Sequence, residues 1–327
     1  MRFLVTGAAG FIGSYVSHAL LDAGHEVIGV DELNAYYDPG LKQARLARLT
    51  VREGFSFHKL DIADDAALAA LPGLHDLKAV IHLAAQAGVR YSIENPMAYA
   101  RSNLVGHLSV LELVRRLEPR PLLVYASSSS VYGDTTTPPF CEQARVDDPV
   151  SLYAATKRSG ELISTSYAHL YGMAQIGLRF FTVYGPWGRP DMAYWTFSER
   201  ILSGQPIQLF NHGKLMRDFT YIDDIVEGVV RIALQPPTFA KDAAPHRVYN
   251  IGNNQPVELM TFVKSLEQAL GKTAQLEFLP MQPGDVHATY ANIAALQADY
   301  DFAPRTPIAE GLQRFADWFM AYRAGPL

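Results

Sequence analysis

The stretch TGAAGFIG, residues 6–13, joins a short apolar run to a helical pattern and decides the fold. Its three glycines, Gly7, Gly10 and Gly13, have the spacing G-x-x-G-x-x-G. Glycine allows a tight turn, lets backbone N–H groups approach a pyrophosphate, and lets a helix pack closely on a strand. The helix N-terminus adds partial positive charge. This pattern predicts a dinucleotide-binding loop, and an ordinary strand-to-helix turn is the alternative.

Around this loop, the first half of the chain alternates β-rich apolar runs with helical patterns. Continuous apolar strands separated by helices are typical of a parallel sheet covered on both faces. We therefore predict an α/β fold, a Rossmann-type doubly wound parallel sheet with a smaller C-terminal α/β substrate-binding domain. The predicted strands are residues 3–5, 26–30, 55–59, 79–83, 122–125, 174–180 and 248–251. The predicted helices are residues 11–23, 66–71, 97–117, 151–171 and 221–234. The predicted domains are residues 1–181 plus about 220–252, which bind the cofactor, and about 182–219 plus 253–327, which bind the substrate.

Asp31 ends the second predicted strand, 18 residues after Gly13. An acid at this place can hold the ribose hydroxyls of an adenosine, and its charge repels a 2′-phosphate. Asp31 therefore favours NAD over NADP as the cofactor. The alternative is a solvated strand end.

The composition narrows the class of protein. The 327 residues are 49% hydrophobic and 19% charged, which suits a folded chain of one large or two coupled domains. The net charge of −5 argues against nucleic acid as the main partner. The single cysteine, Cys141, excludes an intrachain disulfide, and we predict no metal site. No leader precedes the first strand and no apolar run reaches ~18 residues, so we expect a cytoplasmic protein without a membrane span.

The stretch SLYAATKRSGEL, residues 151–162, predicts a helix that carries a catalytic pair. Tyr153 and Lys157 are at positions i and i+4, so both lie on one helical face. A neighbouring ammonium favours the phenolate and lowers the pKa of a tyrosine from its usual value of ~10 toward the working range of a base. The alternative is an amphipathic surface pair.

Four consecutive serines, in ASSSSVYG at residues 126–133, follow the apolar run 122–125. In a doubly wound sheet, ligands bind at the carboxyl ends of the strands. We therefore expect the serines and the Tyr153–Lys157 face to meet over the nicotinamide of the cofactor.

These motifs together resemble the extended branch of the short-chain dehydrogenase/reductase family, and within it the NAD-dependent sugar-nucleotide epimerases. The resemblance covers essentially the whole chain. The further segments that carry it are NAYYDPGLKQARL (34–46), AQAGVRYSIENP (85–96), FFTVYGPWGRPDM (180–192), RDFTYIDD (217–224) and PGDV (283–286).

The resemblance implies a role for many single residues. Ser128 would hydrogen-bond the substrate oxygen whose proton Tyr153 takes, and Lys157 would complete the catalytic group. The implied cofactor-binding residues are Gly7, Gly10, Phe11, Ile12, Gly13, Asp31, Asn34, Lys42, Asp61, Ile62, Leu83, Ala84, Ala85, Gln86, Tyr153 and Lys157. The implied substrate-binding residues are Arg90, Ser129, Ser130, Thr182, Arg189, Met192, Gln208, Arg217, Gln282 and Asp285.

The implied reaction is NAD-dependent inversion at C4 of UDP-glucuronate to UDP-galacturonate through a transient 4-keto intermediate. Dehydratases of the branch carry Thr-Asp-Glu where this chain has Ser128, Ser129 and Ser130, which disfavours elimination of water. Two enzymatic alternatives stay open: a UDP-glucuronate decarboxylase, and a 4-epimerase of a neutral or N-acetylated UDP-hexose. A regulator that senses NAD without turnover is a remote third. The resemblance also implies a homodimer, formed through residues 97–117 and 151–171.

A glucuronate substrate carries a carboxylate, and a buried carboxylate needs paired donors. We expect Arg189, together with Thr182 and Ser130, to supply them. The alternative for Arg189 is an ion pair with Asp191 inside its own loop.

Overall fold

A computed structural model describes residues 1–134, 137–240, 243–281 and 288–325. Its strands, β1 to β13 in chain order, are Arg2–Thr6, Glu26–Asp31, Phe55–Lys59, Leu77–His82, Leu122–Ser128, Gln175–Phe180, Thr182–Tyr184, Ile207–Leu209, Met216–Tyr221, His246–Ile251, Pro256–Glu258, Leu276–Phe278 and Ala288–Thr289. Its α-helices, α1 to α12, are Phe11–Asp22, Pro39–Thr50, Asp65–Ala69, Tyr91–Glu94, Pro96–Tyr99, Gly106–Arg116, Leu152–Tyr171, Ala193–Ser203, Ile222–Leu234, Leu259–Leu270, Ala294–Tyr300 and Ile308–Ala324.

Seven of the described strands form one parallel sheet in the order β10-β6-β5-β4-β1-β2-β3. The centre of this sheet is apolar, and Phe3, Leu4 and Val5 of β1 are fully buried. The order of the strands reverses between β1 and β4. This is the topological switch point of a doubly wound sheet, and ligands bind outside the carboxyl ends of the strands there. The predicted Rossmann-type fold is confirmed.

The remaining strands form a smaller region outside the main sheet. β7, β8 and β9 lie in the chain between β6 and β10, and β11, β12 and β13 follow β10. β9 pairs with β7, β11 and β13, and β8 pairs with β12. Helix α10 packs on β9, where the rings of Phe219 and Phe262 stack with centroids 4.5 Å apart. The chain returns to the main sheet through α9 and β10, as the sequence suggested, but the exact boundaries between two domains stay a prediction.

Helix α2, Pro39–Thr50, is an element that the sequence analysis missed. It begins where the side chain of Asp38 accepts a hydrogen bond from the N–H of Gly40, with Pro39 in the first turn. Leu41, Arg45 and Leu49 of this helix are buried. The charged residues on α2 obscured its buried face in the sequence, because two of them, Lys42 and Arg45, are buried.

Two predicted elements differ markedly from their predicted bounds, while the others keep theirs or shift by one or two residues at an end. Strand β5 continues to Ser128, three residues beyond its predicted end, because it keeps its pairing with β6 as far as Phe180. The helix predicted over residues 97–117 is divided into α5, a π-helical stretch Ala100–Val105, and α6. Asn103, in the π-helical stretch, is buried and donates to the Thr156 hydroxyl and to the Gln86 carbonyl.

No helix within the four described ranges is long and apolar enough to cross a membrane.

Candidate active site

A cavity of about 790 Å³ lies at the carboxyl ends of the main-sheet strands. Its walls contain every described residue that was predicted to bind the cofactor or the substrate or to take part in catalysis. Gln282 and Asp285, two predicted substrate-binding residues, lie outside the described residues. Within the described part of the chain, no three His, Cys, Asp or Glu side chains are grouped so that they could hold a metal ion.

The glycine-rich loop forms one wall of the cavity, and its glycines have no room for a side chain. Gly7 has φ +74, and a Cβ there would lie 2.8 Å from the backbone nitrogen of Ala84. A Cβ at Gly13 would lie 2.0 Å from the carbonyl oxygen of Gly7. The start of α1 therefore packs tightly under the loop and leaves a cradle for a ligand diphosphate. This geometry fits a dinucleotide.

Asp31, at the end of β2, borders the cavity and also shapes the loop. Its carboxylate accepts hydrogen bonds from the N–H groups of Ala9, at 3.1 Å, and Leu33, at 2.8 Å. Lys42, on α2, donates to the side-chain and carbonyl oxygens of Asn34, at 2.6 and 2.9 Å. Burial lowers the pKa of Lys42, while the charge of Asp31 raises it. One acid and one cation thus flank the position where an adenosine ribose would lie.

Asp61 and Ile62 close the same end of the cavity. Asp61 pairs with Arg101 at 2.6 Å and accepts a bond from the N–H of Ala63 at 2.9 Å. Ile62 is buried. The segment Leu83 to Gln86 follows β4, and Asn103 holds it by accepting from the N–H of Gln86 at 2.8 Å.

Ser128, Tyr153 and Lys157 face the cavity from β5 and α7. Helix α7 begins where the Ser151 side chain accepts from the N–H of Ala154, and this start places Tyr153 in the first turn. Desolvation raises the pKa of Tyr153 above its ordinary value, and a hydrogen bond with Ser128 and the charge of Arg189 offset this only in part.

The contact between Lys157 and Tyr153 differs from the prediction. The Lys157 ammonium donates to the carbonyl oxygen of Ala126 at 2.9 Å and lies 5.9 Å from the centroid of the Tyr153 ring. Burial lowers the pKa of Lys157 to about 8. In this arrangement the groups that lower the pKa of Tyr153 are Ser128 and Arg189, because the flexible lysine side chain finds a nearer acceptor in the backbone of β5.

The four serines divide into two roles. Ser128, Ser129 and Ser130 border the cavity, and the Ser128 hydroxyl accepts a bond from the N–H of Ser130 at 3.2 Å and donates to its hydroxyl at 3.1 Å. Ser127 also borders the cavity, but its hydroxyl is buried and donates to Glu161 Oε1 at 2.6 Å. Ser127 therefore joins β5 to α7, while the other three serines keep their hydroxyls at the cavity.

Glu161 belongs to a buried ion pair that the sequence analysis missed. Arg179 of β6 donates to its two carboxylate oxygens at 2.8 and 2.9 Å, and both side chains are at most 3% exposed. Burial alone would raise the pKa of Glu161, but the bonds from Arg179 and Ser127 outweigh it and hold that pKa below its ordinary value. The pair joins α7, which carries Tyr153, to β6 of the main sheet.

Arg189 forms the ion pair with Asp191 that was the alternative to its substrate role. Its Nε donates to Oδ1 at 3.0 Å and its Nη2 to Oδ2 at 2.5 Å. Both residues border the cavity, as does Thr182 at the start of β7. Asp191 uses Nε and Nη2, so the N–H groups of Nη1 can donate to an acceptor on a ligand. Binding of a substrate carboxylate by Arg189 stays a prediction.

The remaining predicted substrate-binding residues lie on the C-terminal side of the cavity. Arg90 lies over the ring of Phe210, 5.8 Å from its centroid. Gln208 donates to Glu277 at 3.0 Å, and Arg217 donates to the carbonyl of Met216 at 2.9 Å. Met192, just before α8, is part of the same wall. Their roles toward a substrate stay predictions.

Two further residues, Tyr36 and Arg45, contact the loop that carries Arg189. Both stand in NAYYDPGLKQARL, a segment whose resemblance to the family was visible in the sequence. Their partners lie 155 and 142 residues away, so no spacing could have indicated the contacts.

A glycine cradle at the switch point of a Rossmann sheet, with a Ser–Tyr–Lys group on the same cavity, is typical of dinucleotide-dependent enzymes that act on a hydroxyl or a carbonyl group. Residues 3–252 match the model of the NAD dependent epimerase/dehydratase family. The chain belongs to this family.

Similar proteins cover nearly the whole chain. A probable UDP-glucuronate 4-epimerase of Rhizobium meliloti (strain 1021) is 48% identical over 331 residues, which span 98% of this chain and 97% of the relative. UDP-glucuronate 4-epimerase 3 of Arabidopsis thaliana is 48% identical over 98% of this chain and 77% of its own length. The crystal structure of UDP-glucuronic acid 4-epimerase from Bacillus cereus in complex with UDP-glucuronic acid and NAD matches with a TM-score of 0.87 and 33% identity, covering 98% of this chain and all of the other.

Proposed function

We propose that this protein catalyses the NAD-dependent C4 epimerisation of UDP-glucuronate to UDP-galacturonate. One observation carries the proposal: the Ser128–Tyr153–Lys157 group and the guanidinium of Arg189 border the same cavity. The first group suits removal of a proton from a sugar hydroxyl, and Arg189 suits an acidic sugar. The relatives named UDP-glucuronate 4-epimerases support this substrate.

The glycine cradle, Asp31, Lys42 and Asn34 would hold NAD, which when bound supplies an acceptor and donor for the C4 hydride. The carboxylate of Asp31 disfavours NADP, because it would repel a 2′-phosphate. The cofactor is regenerated in each cycle, so one tightly held molecule suffices for many turnovers.

Tyr153 acts as the base in this proposal. Its phenolate takes the proton of the C4 hydroxyl and later returns it, while the Ser128 hydroxyl hydrogen-bonds the same sugar oxygen. A buried phenolate needs support, because loss of water disfavours the charged form. Ser128 and Arg189 give part of that support, since both lower the pKa of Tyr153 against the larger effect of burial. Inversion then requires the 4-keto sugar to present its opposite face before the hydride returns.

The carboxylate of the substrate requires control as well as binding. A 4-keto uronate is a β-keto acid, and it loses CO₂ when the C5–C6 bond stands perpendicular to the plane of the C4 carbonyl. We assign this control to Arg189, Thr182 and Ser130, whose donors would keep the carboxylate out of that orientation. A UDP-glucuronate decarboxylase would form the same 4-keto intermediate and let it lose CO₂, so this activity is the alternative to exclude.

NMR analysis of the products from UDP-glucuronate, without added NAD, tests the proposal. We expect UDP-galacturonate. A UDP-pentose would instead identify a decarboxylase, and turnover of UDP-glucose or UDP-N-acetylglucosamine alone would identify an epimerase of neutral sugars. No turnover of any of these, with NAD bound, would favour a regulator.

We also propose that the protein is a cytoplasmic homodimer. Helices α6 and α7 expose apolar side chains, with Leu108, Leu162 and Leu170 being 41%, 54% and 64% exposed. Pairing of these helices with a second copy would cover such residues. The single cysteine, Cys141, suits a reducing compartment. Light scattering should give twice the chain mass, and Leu162→Lys with Leu170→Lys should lower it; a wild-type monomer at micromolar concentration would contradict the dimer.

A further inference from the structure

Arg45, on α2, is fully buried and uses its guanidinium to join distant segments. Nε and Nη2 donate to the Trp187 carbonyl at 2.9 and 2.6 Å, and Nη2 also donates to the Gly188 carbonyl at 2.7 Å. Nη1 donates to the Tyr37 hydroxyl at 2.7 Å and to the Ala9 carbonyl, in the glycine-rich loop, at 3.3 Å. All five bonds end on neutral oxygens. A buried guanidinium is tolerated only where its donors are satisfied, so the burial of Arg45 requires these four acceptors to stay in place.

The bonds of Arg45 hold a loop, residues 186–191, that carries Arg189. Trp187 has φ +59, a conformation that a residue with a bulky side chain adopts at an energetic cost. The Tyr15 hydroxyl of α1 donates to the Pro186 carbonyl at 3.1 Å and fastens the same loop. The loop is therefore held by α1 and α2, the two helices that follow β1 and β2 beside the glycine-rich loop.

Tyr36 makes a second connection to the loop, at the side of the cavity. Its hydroxyl hydrogen-bonds Asp191 Oδ2 at 3.1 Å, and Asp191 holds Arg189 by two further bonds. The fold leaves room for this hydroxyl: Gly88 has φ +98, and a Cβ there would lie 2.4 Å from the Tyr36 oxygen. The Tyr36 ring lies against the ring of Tyr91, with centroids 4.7 Å apart. Tyr36 thus fixes the ion pair of Arg189 from outside its loop.

We propose that Arg45 and Tyr36 are positioning residues for Arg189, so that recognition of an acidic sugar depends on the junction between residues 34–46 and residues 186–191. The inference rests on the proposed function, in which Arg189 meets the substrate carboxylate. Arg45 acts through the main chain of Trp187 and Gly188, and Tyr36 acts through Asp191. Charge-assisted hydrogen bonds weaken steeply with distance and angle, so a small shift of the loop costs much of the bond to the carboxylate.

Tyr36→Phe tests the inference without removing a buried charge. The NAD-loaded protein is studied in a Tyr153→Phe background, so that turnover does not disturb binding, and the dissociation constants of UDP-glucuronate and UDP-glucose are measured by calorimetry. We expect UDP-glucuronate to bind roughly three- to ten-fold more weakly, the range of one hydrogen bond to a charged group that is partly exposed. UDP-glucose has no carboxylate, and its dissociation constant should change less than about two-fold.

The chain provides a matched control in Tyr249→Phe. The Tyr249 hydroxyl also donates to a carboxylate, that of Asp299 at 2.5 Å, and this carboxylate also pairs with an arginine, Arg247 at 2.7 Å. This group lies outside the cavity walls. The control should leave both dissociation constants unchanged. Equal weakening of the two ligands by Tyr36→Phe, or no weakening of either, would overturn the inference.

Arg45→Lys gives an independent measurement, because lysine keeps the charge but cannot bridge four acceptors with a planar fork. We expect a loss of selectivity for UDP-glucuronate over UDP-glucose at least as large as that of Tyr36→Phe, in protein that still carries NAD. A folded Arg45→Lys variant with unchanged selectivity would overturn the role of Arg45. Failure of the proposed function itself is a separate result: the wild-type protein would then not epimerise UDP-glucuronate.

Discussion

The carboxylate of Asp191 holds the guanidinium of Arg189 by two hydrogen bonds, at 3.0 and 2.5 Å, on the wall of the active-site cavity. The pair is partly exposed, with side-chain accessibilities of 29% and 25%. Two of the five N–H groups of Arg189 are used by Asp191, and a guanidinium can bind a second carboxylate with the others. The ion pair therefore orients the arginine and does not saturate it.

Arg189→Ala should separate acidic from neutral substrates. We expect UDP-glucuronate to bind roughly ten- to a hundred-fold more weakly, because a charge-assisted hydrogen bond contributes ~1.5–3 kcal/mol. UDP-glucose should be affected much less, and a UDP-pentose by-product should appear as the carboxylate of the 4-keto intermediate becomes free to rotate. Calorimetry and product NMR check both effects. Equal weakening of the two ligands would assign Arg189 to the diphosphate or to the fold.

Tyr153→Phe should remove most of the turnover, because positioned proton transfer contributes roughly 10²–10⁴ in rate. Binding of the nucleotide sugar should stay within several-fold of the wild type. Lys157→Ala should be comparably harmful, because Lys157 borders the cavity and is also expected to bind the cofactor. Ser128→Ala should be less harmful, because Ser129 or a water can replace one hydrogen bond. Steady-state kinetics measure the turnover of each variant, and circular dichroism checks that each variant is folded. Near wild-type turnover of folded Tyr153→Phe would show that another group is the base.

The purified protein should carry NAD and need little or none added. The loop has no room for a side chain at Gly7 or Gly13, which suits close contact with a diphosphate, and the proposed reaction regenerates its oxidant. The measurement is denaturation followed by chromatography of the released nucleotide. NADP as the main species would contradict the role given to Asp31.

Glu161→Gln should destabilise the protein by about 3–5 kcal/mol, because it leaves the charge of Arg179 buried without its partner. The wild-type pKa of Glu161 lies below its ordinary value of 4.5, since the bonds from Arg179 and Ser127 outweigh burial. A depressed carboxyl pKa contributes stability that is complete above pH 4.5 and is lost as the pH falls through the folded-state value. Urea unfolding between pH 7 and pH 3 should therefore show a smaller pH-dependent loss for the variant.

The control for this prediction is Glu26→Gln. Glu26 pairs with Arg2 at 2.6 Å, but the two side chains are 57% and 29% exposed. An exposed pair contributes at most about 1 kcal/mol. A loss for Glu161→Gln no larger than that of this control would mean that the buried pair does not stabilise α7 against the sheet.

Local spacing in the sequence predicted the parts of the site that lie within single elements. The glycine loop lies on one strand-to-helix turn, and Tyr153 and Lys157 lie on one face of α7, so the periodicity of the chain indicates both. The position of Lys157 against the Ala126 carbonyl depends on how α7 packs on β5, which no spacing encodes.

Contacts between distant segments could not be predicted in this way. Tyr36 and Asp191 are 155 residues apart, and Arg45 and Trp187 are 142 apart. Arg45 was hidden further because a charged residue on a helix ordinarily faces the solvent. Resemblance identified the segment 34–46 and implied roles for Asn34 and Lys42, but only the three-dimensional packing gives Tyr36 and Arg45 a role.

The retention of a deuterium label at C4 tests the proposed epimerisation most directly. UDP-glucuronate deuterated at C4 is converted in ordinary water, without added NAD, and the product is analysed by NMR and mass spectrometry. We expect UDP-galacturonate that retains the label at C4, because the hydride removed from C4 returns to the same carbon. Replacement of the label by solvent hydrogen, or a labelled UDP-pentose as the main product, would contradict C4 epimerisation as the function of this protein.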